Sequence, residues 1–263
     1  MPPKSKEDER LGLIKTNNQG CNMKIVSYKN RHNIVIEFMD EYKTQINTRW
    51  QLFLEGKITN PYHPQIYNKG IPGNKYPTLN EEHKLCKEYS SWLNILTRCF
   101  DNKVKEKRST YQDVTICNEW LLYENFYEWL HSQKNFKQWV NLKKSAVDKD
   151  ILIKGNKIYS PETCCLVPIE INNLFIKSDA ARGDFPIGVT LHQNKFVAEC
   201  SHKINGKKKN YLSIHDAPEE AFCAYKKFKE NLIKKIAQEE YDKGTITKRC
   251  YDAMIKYEVE RTD

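Results

Sequence analysis

The chain has 263 residues, 39% of them apolar and 29% charged, with a formal net charge of +9. That length allows two or three small domains, and the charge favours an anionic partner, most often nucleic acid. No apolar run approaches the ~20 residues that span a bilayer, and the charged opening "MPPKSKEDER" lacks the apolar core of a secretion signal, so no membrane partner is expected and the expected location is the cytoplasm.

Residues 1–78 read as a small N-terminal β module followed by a linker. "MKIVSY" (23–28) and "NIVIEFMD" (33–40) are strand-like runs separated by the polar turn "KNRH", which predicts a hairpin. "IYNKGIPGNKYPTLN" (66–80) is dense in Gly and Pro and reads as the linker.

Residues 79–178 form the middle segment. "EEHKLCKEYSSWLNILTRCF" (81–100) places Leu85, Trp92, Leu93, Ile95 and Leu96 at helical spacing. "CNEWLLYENFYEWLHSQ" (117–133) predicts a second helix, with Trp120, Leu121, Phe126, Trp129 and Leu130 as one apolar stripe. Such a stripe is expected to be core, so Trp92, Trp120 and Trp129 should be buried. Next comes "VDKDILIKGNKIYSPETCCLVP" (147–168), a strand end carrying Asp, a Gly-Asn turn and a capped helix start at Ser160-Pro161. "IEINNLFIKS" (169–178) predicts a short third helix.

Residues 179–263 begin within the polar stretch "SDAARGD" (178–184). Three strands are expected in "PIGVTL", "KFVAECSH" and "KNYLSIHD", with Asn205-Gly206 as the hairpin signal between the second and third. The run 217–244 predicts a helix with Asp216 as N-cap, Pro218 in the first turn and Glu219 completing a capping box. A last helical stretch covers 247–261. The nine cysteines are odd in number and include no Cys-x-x-Cys pair. They are expected to stay reduced, and the adjacent Cys164 and Cys165 suit a shared tetrahedral ion poorly, so no zinc is expected.

Three strands and a packed helix with basic residues can present a sheet to a DNA groove. "GVT…KFVAE…NGKKKNYLSIHDAPEEAFCAY" (188–225) resembles an APETALA2-type DNA-binding domain. The matching positions are Gly188, Val189, Ala198, Glu199, Leu212, Asp216, Glu219, Glu220, Ala221, Ala224 and Tyr225. The resemblance covers about a fifth of the chain. It implies a DNA-reading surface that includes Thr190, Lys195, Glu199, Ser201 and Tyr211. Thr190 and Ser201 stand where the family has arginines, and loss of an arginine that can bond guanine bidentately removes the strongest base contact. Lys207, Lys208 and Lys209 would contact phosphates or form a solvated turn.

The stretch 147–168 has the outline of a ββα-metal (His-Me finger, HNH) site. With "WLNILTRCFDN…STYQDVTICNEWL…F…WL" (92–130) upstream, it resembles bacteriophage proteins related to HNH homing endonucleases. The match runs over about residues 90–176. It implies Asp148 at the metal-binding Asp, Lys149 at the catalytic His, Asn156 as the loop Asn and Thr163 at the helix-ligand position. Alternation along a strand would add Asp150 to Asp148 as a carboxylate pair for Mg²⁺. Lys149, between two Asp residues, is expected to stay charged and to act as a phosphate contact or transition-state cation, not a base. Of the seven histidines, His131 is the best-placed substitute base. It could equally be a helix-end residue that compensates the dipole.

The expected architecture is α+β and multi-domain: an N-terminal β module, a degenerate ββα (HNH-like) middle domain, and an APETALA2-like three-stranded sheet plus helix. The leading functional reading is a phage-type protein that binds double-stranded DNA, with Mg²⁺-dependent endonuclease activity and a bacterial host cell as its setting. The alternatives are an inactive regulator or protein binder on the same scaffold, and an RNA-binding protein.

Overall fold

A computed structural model describes residues 9–176, 185–201 and 210–263. The fold mixes helix and sheet, as the α+β expectation has it. Among the described residues no helix is long and apolar enough to cross a membrane. The chain forms two compact units, Met1–Cys86 with Asn118–Phe126, and Lys87–Cys117 with Tyr127–Asp263. The boundary expected at 178/179 and the Asn205-Gly206 turn lie outside the described residues.

The first unit is built on an antiparallel meander of β1 (Ile14–Thr16), β2 (Asn22–Asn30), β3 (Asn33–Phe38) and β4 (Gln45–Thr48). β3 alternates strictly, so Ile34, Ile36 and Phe38 point to one face. β2 changes phase at register shifts between Ile25 and Ser27 and between Tyr28 and Asn30. The first shift brings Met23, Ile25 and Tyr28 to the same side. Phe53, on the short helix α1 (Trp50–Leu54), closes this core with Ile58. The hairpin expected between β2 and β3 is present, whereas β1, β4 and α1 carry no strong sequence signal.

The stretch read as a linker is fastened within this unit. Ile71 bridges to Leu122. The buried Glu124 carboxylate accepts from Asn74 N (2.9 Å), Lys75 N (2.8 Å) and the Tyr62 hydroxyl (3.0 Å). Buried polar groups of this kind hold position strongly, because losing their partners costs the full desolvation penalty.

The second unit opens with α2 (Lys87–Phe100), which starts later than the pattern suggests, after an irregular turn that leaves Leu85 half-exposed. Trp92, Ile95, Leu96 and Cys99 form its buried face. Then follow α3 (Asn102–Lys107), β5 (Thr115–Ile116), α4 (Tyr123–Ser132), α5 (Phe136–Asn141), β6 (Ser145–Asp148), β7 (Ile158–Tyr159), β8 (Cys165–Pro168) and α6 (Ile169–Leu174). The single helix expected over 117–133 is a 3₁₀ turn (Asn118–Leu121) followed by α4. That change of pitch rotates the stripe. Trp120 is buried in the first unit, while Trp129 is only half-buried. Trp139, on α5, is fully buried, as Trp92 is, and its N–H donates to Ala146 O at 3.0 Å.

The C-terminal part is a sheet in the order β11 (Asn210–His215), β10 (Lys195–Cys200), β9 (Val189–His192), packed by α7 (Pro218–Asp242) and α8 (Lys248–Ile255). The N-cap of α7 is Ala217, with no side-chain cap bond. Asp216 is not the cap, because its carboxylate pairs with Lys195 across the sheet instead. Glu219 pairs with Arg261, so no capping box forms. Ala221, Tyr225, Ile233 and Ala237 form the buried stripe of α7.

The pattern Gly188-Val189…Tyr225 has a packing reason. Gly188 adopts φ +75°, and a Cβ there would lie 2.1 Å from the Tyr225 ring. One core joins the 146–175 segment to the C-terminal sheet and helices: Ile151, Cys165, Val167, Ile171 and Leu174 pack with Val189, Ala198, Ala221, Tyr225, Ile233 and Met254.

Candidate functional site

β6 pairs antiparallel with β8, with Asp148 opposite Cys165, and β7 adds a short parallel pairing to β5. The segment between β6 and β8 is therefore a closed loop whose ends are fixed by sheet hydrogen bonds. β6 stops at Asp148, so Asp150 is not on the strand and the expected alternation does not apply. The two carboxyls meet by a tight turn instead. Asp148 Oδ1 accepts from Asp150 N at 2.9 Å and Ile151 N at 2.8 Å, an arrangement that bends the chain back on itself.

Asp148 is buried. Burial, and then the charge on Asp150, push its carboxyl up to about 7. Lys149 is also buried, and its ammonium donates to Asp150 Oδ2 at 2.9 Å and Asn156 O at 3.0 Å. Below about pH 7, where Asp148 is protonated, the partly exposed Asp150 and the buried Lys149 form a neutral pair.

Asn156 does enter this turn. Its amide donates to Lys149 O (2.6 Å) and Ile158 O (2.7 Å), and its oxygen accepts from Ile158 N (3.3 Å). Gly155 supplies the left-handed residue before it, at φ +78°. Ser160–Thr163 is a hydrogen-bonded turn and not a helix start, so Ser160 caps nothing. The Thr163 hydroxyl donates to Ile158 O at 2.6 Å and also meets Ser160 Oγ at 3.1 Å. Asp148 Oδ1, Asp150 Oδ2 and the Thr163 hydroxyl, all expected to hold Mg²⁺, thus have protein partners: backbone amides for Asp148 Oδ1, the Lys149 ammonium for Asp150 Oδ2, and Ile158 O and Ser160 Oγ for Thr163. Among the described residues no three His, Cys, Asp or Glu side chains are grouped to hold a metal ion. This donor set fits a divalent cation poorly as arranged.

His131 is elsewhere. Its ring stacks on Tyr127 at 4.0 Å and against Phe136 at 3.9 Å, and Nε2 lies 3.6 Å from Glu88. These contacts tie it to α2, α4 and α5 and not to the turn, so it does not serve as a substitute base there. Two residues that the pattern contains but that carried no assigned role do brace the site. Arg98 donates to the buried Tyr159 hydroxyl at 2.8 Å. Their signal was present in the "TRC" and "YSPE" segments, yet only the fold pairs them.

The C-terminal residues behave differently. Thr190 pairs with Val197 and Val197 with Ile214, and Glu199 pairs with Tyr211 beyond a bulge at Ala198/Glu199. Cross-strand partners share a face, so Thr190, Lys195, Glu199 and Tyr211 lie on one side of the sheet. The other side packs Ala198 and Cys200 against α7. Tyr211 is 64% exposed, and Thr190 and Ser201 are exposed. Phe196 points the other way and packs edge-on against Phe185 at 5.4 Å. Lys207, Lys208 and Lys209 lie outside the described residues.

Comparison of the chain with protein-family models, with curated proteins and with solved structures gives no match.

Proposed function

We propose that the chain binds double-stranded DNA through the β9–β10–β11 face, and that the 148–163 turn is a brace for this unit and not a cleavage centre. The observation that carries the proposal is the face itself. Thr190, Lys195, Glu199 and Tyr211 come from three strands yet share one side of the sheet, opposite the α7 packing side. The net charge of +9 supplies the sequence-independent attraction to phosphate. The inactive reading of the turn rests on Lys149. Its ammonium is a built-in cation on Asp150, held by a second bond to Asn156 O. Within this proposal the phage relationship suggested by the sequence, a bacterial cytoplasm as the setting, and Mg²⁺-dependent cleavage as the ancestral activity belong together.

A second reading, a protein-binding regulator, has one observation in its favour: Ile214 and Tyr211 are exposed on this same face. RNA stacking has less support, because Tyr211 is the strand aromatic left facing solvent. The deciding experiment measures duplex DNA binding by fluorescence anisotropy at several salt concentrations, alongside plasmid nicking with Mg²⁺ or Mn²⁺. Salt-dependent binding that weakens with Tyr211→Ala and Thr190→Ala, without nicking, is expected. Binding unaffected by both changes would sink the face assignment. Nicking abolished by Asp148→Ala would restore the nuclease reading.

A further inference from the structure

Among the nine cysteines, Cys21 has an imidazole beside it. Its Sγ lies 3.5 Å from His63 Nδ1, although 42 residues separate the two in sequence. The pair belongs to the first unit and the proposed DNA-binding face to the second, and the pair does not depend on that reading.

Both partners are held by buried amides. Asn17 Oδ1 accepts from Cys21 N at 2.8 Å, and Asn17 N donates to Cys21 O at 2.9 Å. Gly20, at φ +82°, closes this short loop. Asn17 Nδ2 reaches Ile58 O at 2.8 Å. On the other side His63 N donates to Asn60 O at 3.2 Å. Asn60 is anchored by Gln19 Oε1 at its backbone N (2.7 Å) and by Asp40 Oδ2 at its side-chain amide (2.7 Å). Asn17 and Asn60 are 5% and 2% exposed. Cys21 and His63 themselves are both half-buried, so small solutes can reach them.

Several other thiols differ. Burial pushes Cys99 and Cys164 up to about 12. Cys165 is held up by a hydrogen bond with Cys250 and by burial. Cys86 donates to Pro77 O at 3.3 Å. Cys223 is exposed. The thiolate is the reactive species, and a neighbouring imidazole stabilises it and takes its proton.

We propose that Cys21 and His63 form a thiol–imidazole pair that makes Cys21 the chain's site of reaction with small soft electrophiles, hydrogen peroxide in particular. The Cys21 thiol proton moves to His63, and the thiolate attacks one peroxide oxygen. The S–O bond forms as the O–O bond breaks. The hydroxide that leaves takes the proton back from His63 as water, and Cys21 ends as a sulfenic acid.

The test uses the full chain at pH 7. Limiting iodoacetamide, or peroxide followed by a sulfenic-acid trap, is applied, and each cysteine is quantified by peptide mass spectrometry. Cys21 is expected to react at least several-fold faster than the more exposed Cys223. In His63→Ala, Cys21 should fall to the Cys223 rate or below, with Cys223 unchanged and the circular dichroism spectrum retained. A Cys21 rate no greater than that of Cys223 overturns the proposal. So does a folded His63→Ala protein in which Cys21 keeps its rate.

Discussion

Replacing Asp148 with Asn should remove a pH dependence of stability while keeping the turn. The side-chain oxygen that accepts from Asp150 N and Ile151 N is retained in Asp148→Asn, so both bonds at 2.9 and 2.8 Å can persist. What disappears is the titration. The Asp148 carboxyl is raised to about 7 from the ordinary aspartate value of 3.8, by burial and then by the charge of Asp150. A group raised on folding binds its proton more tightly in the folded state. Its contribution is therefore complete below about pH 4 and is lost as pH climbs through about 7. At 1.36 kcal/mol per tenfold change in proton affinity, the whole span corresponds to roughly 4 kcal/mol, and the part lost between pH 5 and pH 8 to about 2–3 kcal/mol. The measurement is urea unfolding of both proteins at pH 5 and pH 8. The difference between them cancels titrating groups outside the turn, and what remains belongs to Asp148 together with Asp150. The wild-type protein should lose about 2–3 kcal/mol more than the variant over that interval. Parallel pH dependences would show that Asp148 is already ionised in the fold, and the account of the turn as a protonated, neutral cluster would fail.

Three further outcomes follow from the packing and the charge. Gly188→Ala should cost about 2–4 kcal/mol, because a methyl group at φ +75° meets the Tyr225 ring at 2.1 Å and the ring has only core to move into; a thermal melt unchanged from wild type would contradict the Gly188–Tyr225 contact. Trp92→Ala should cost about 3–5 kcal/mol, as expected for a fully buried aromatic, whereas Trp129→Ala, at a half-buried position, should cost distinctly less; equal losses would mean that the stripe is continuous after all. Changing Lys207, Lys208 and Lys209 together to Ala should flatten the salt dependence of duplex DNA binding, by about 0.9 log unit per lost phosphate contact, and an unchanged slope would remove this run from the contact surface.

Hydrophobic period and turn chemistry by themselves determined a good part of this protein. The β2–β3 hairpin, the buried face of α2, the three C-terminal strands and the long helix after them were all legible, because alternation and a 3.6-residue period are local properties of the chain. The spacing that joins Gly188 to Tyr225 was legible as a pattern, but its reason is a contact across the fold. Only tertiary structure decided the state of the 148–163 turn. From sequence, Asp148 and Asp150 looked like two ligands on one strand face, and Lys149 like a cation awaiting phosphate. In the fold the strand ends one residue into that pattern, Asp148 turns inward to the backbone, and Lys149 is bonded to Asp150 and Asn156. Likewise Asp216 looked like a helix cap until Lys195, from the neighbouring strand, claimed it. His131 looked available for the turn until the fold set its ring against Tyr127, Phe136 and Glu88 instead. A hydrogen bond or ion pair goes to whichever partner is nearest in space. For polar side chains that partner is set by long-range packing, which the local periodicity of a sequence does not encode.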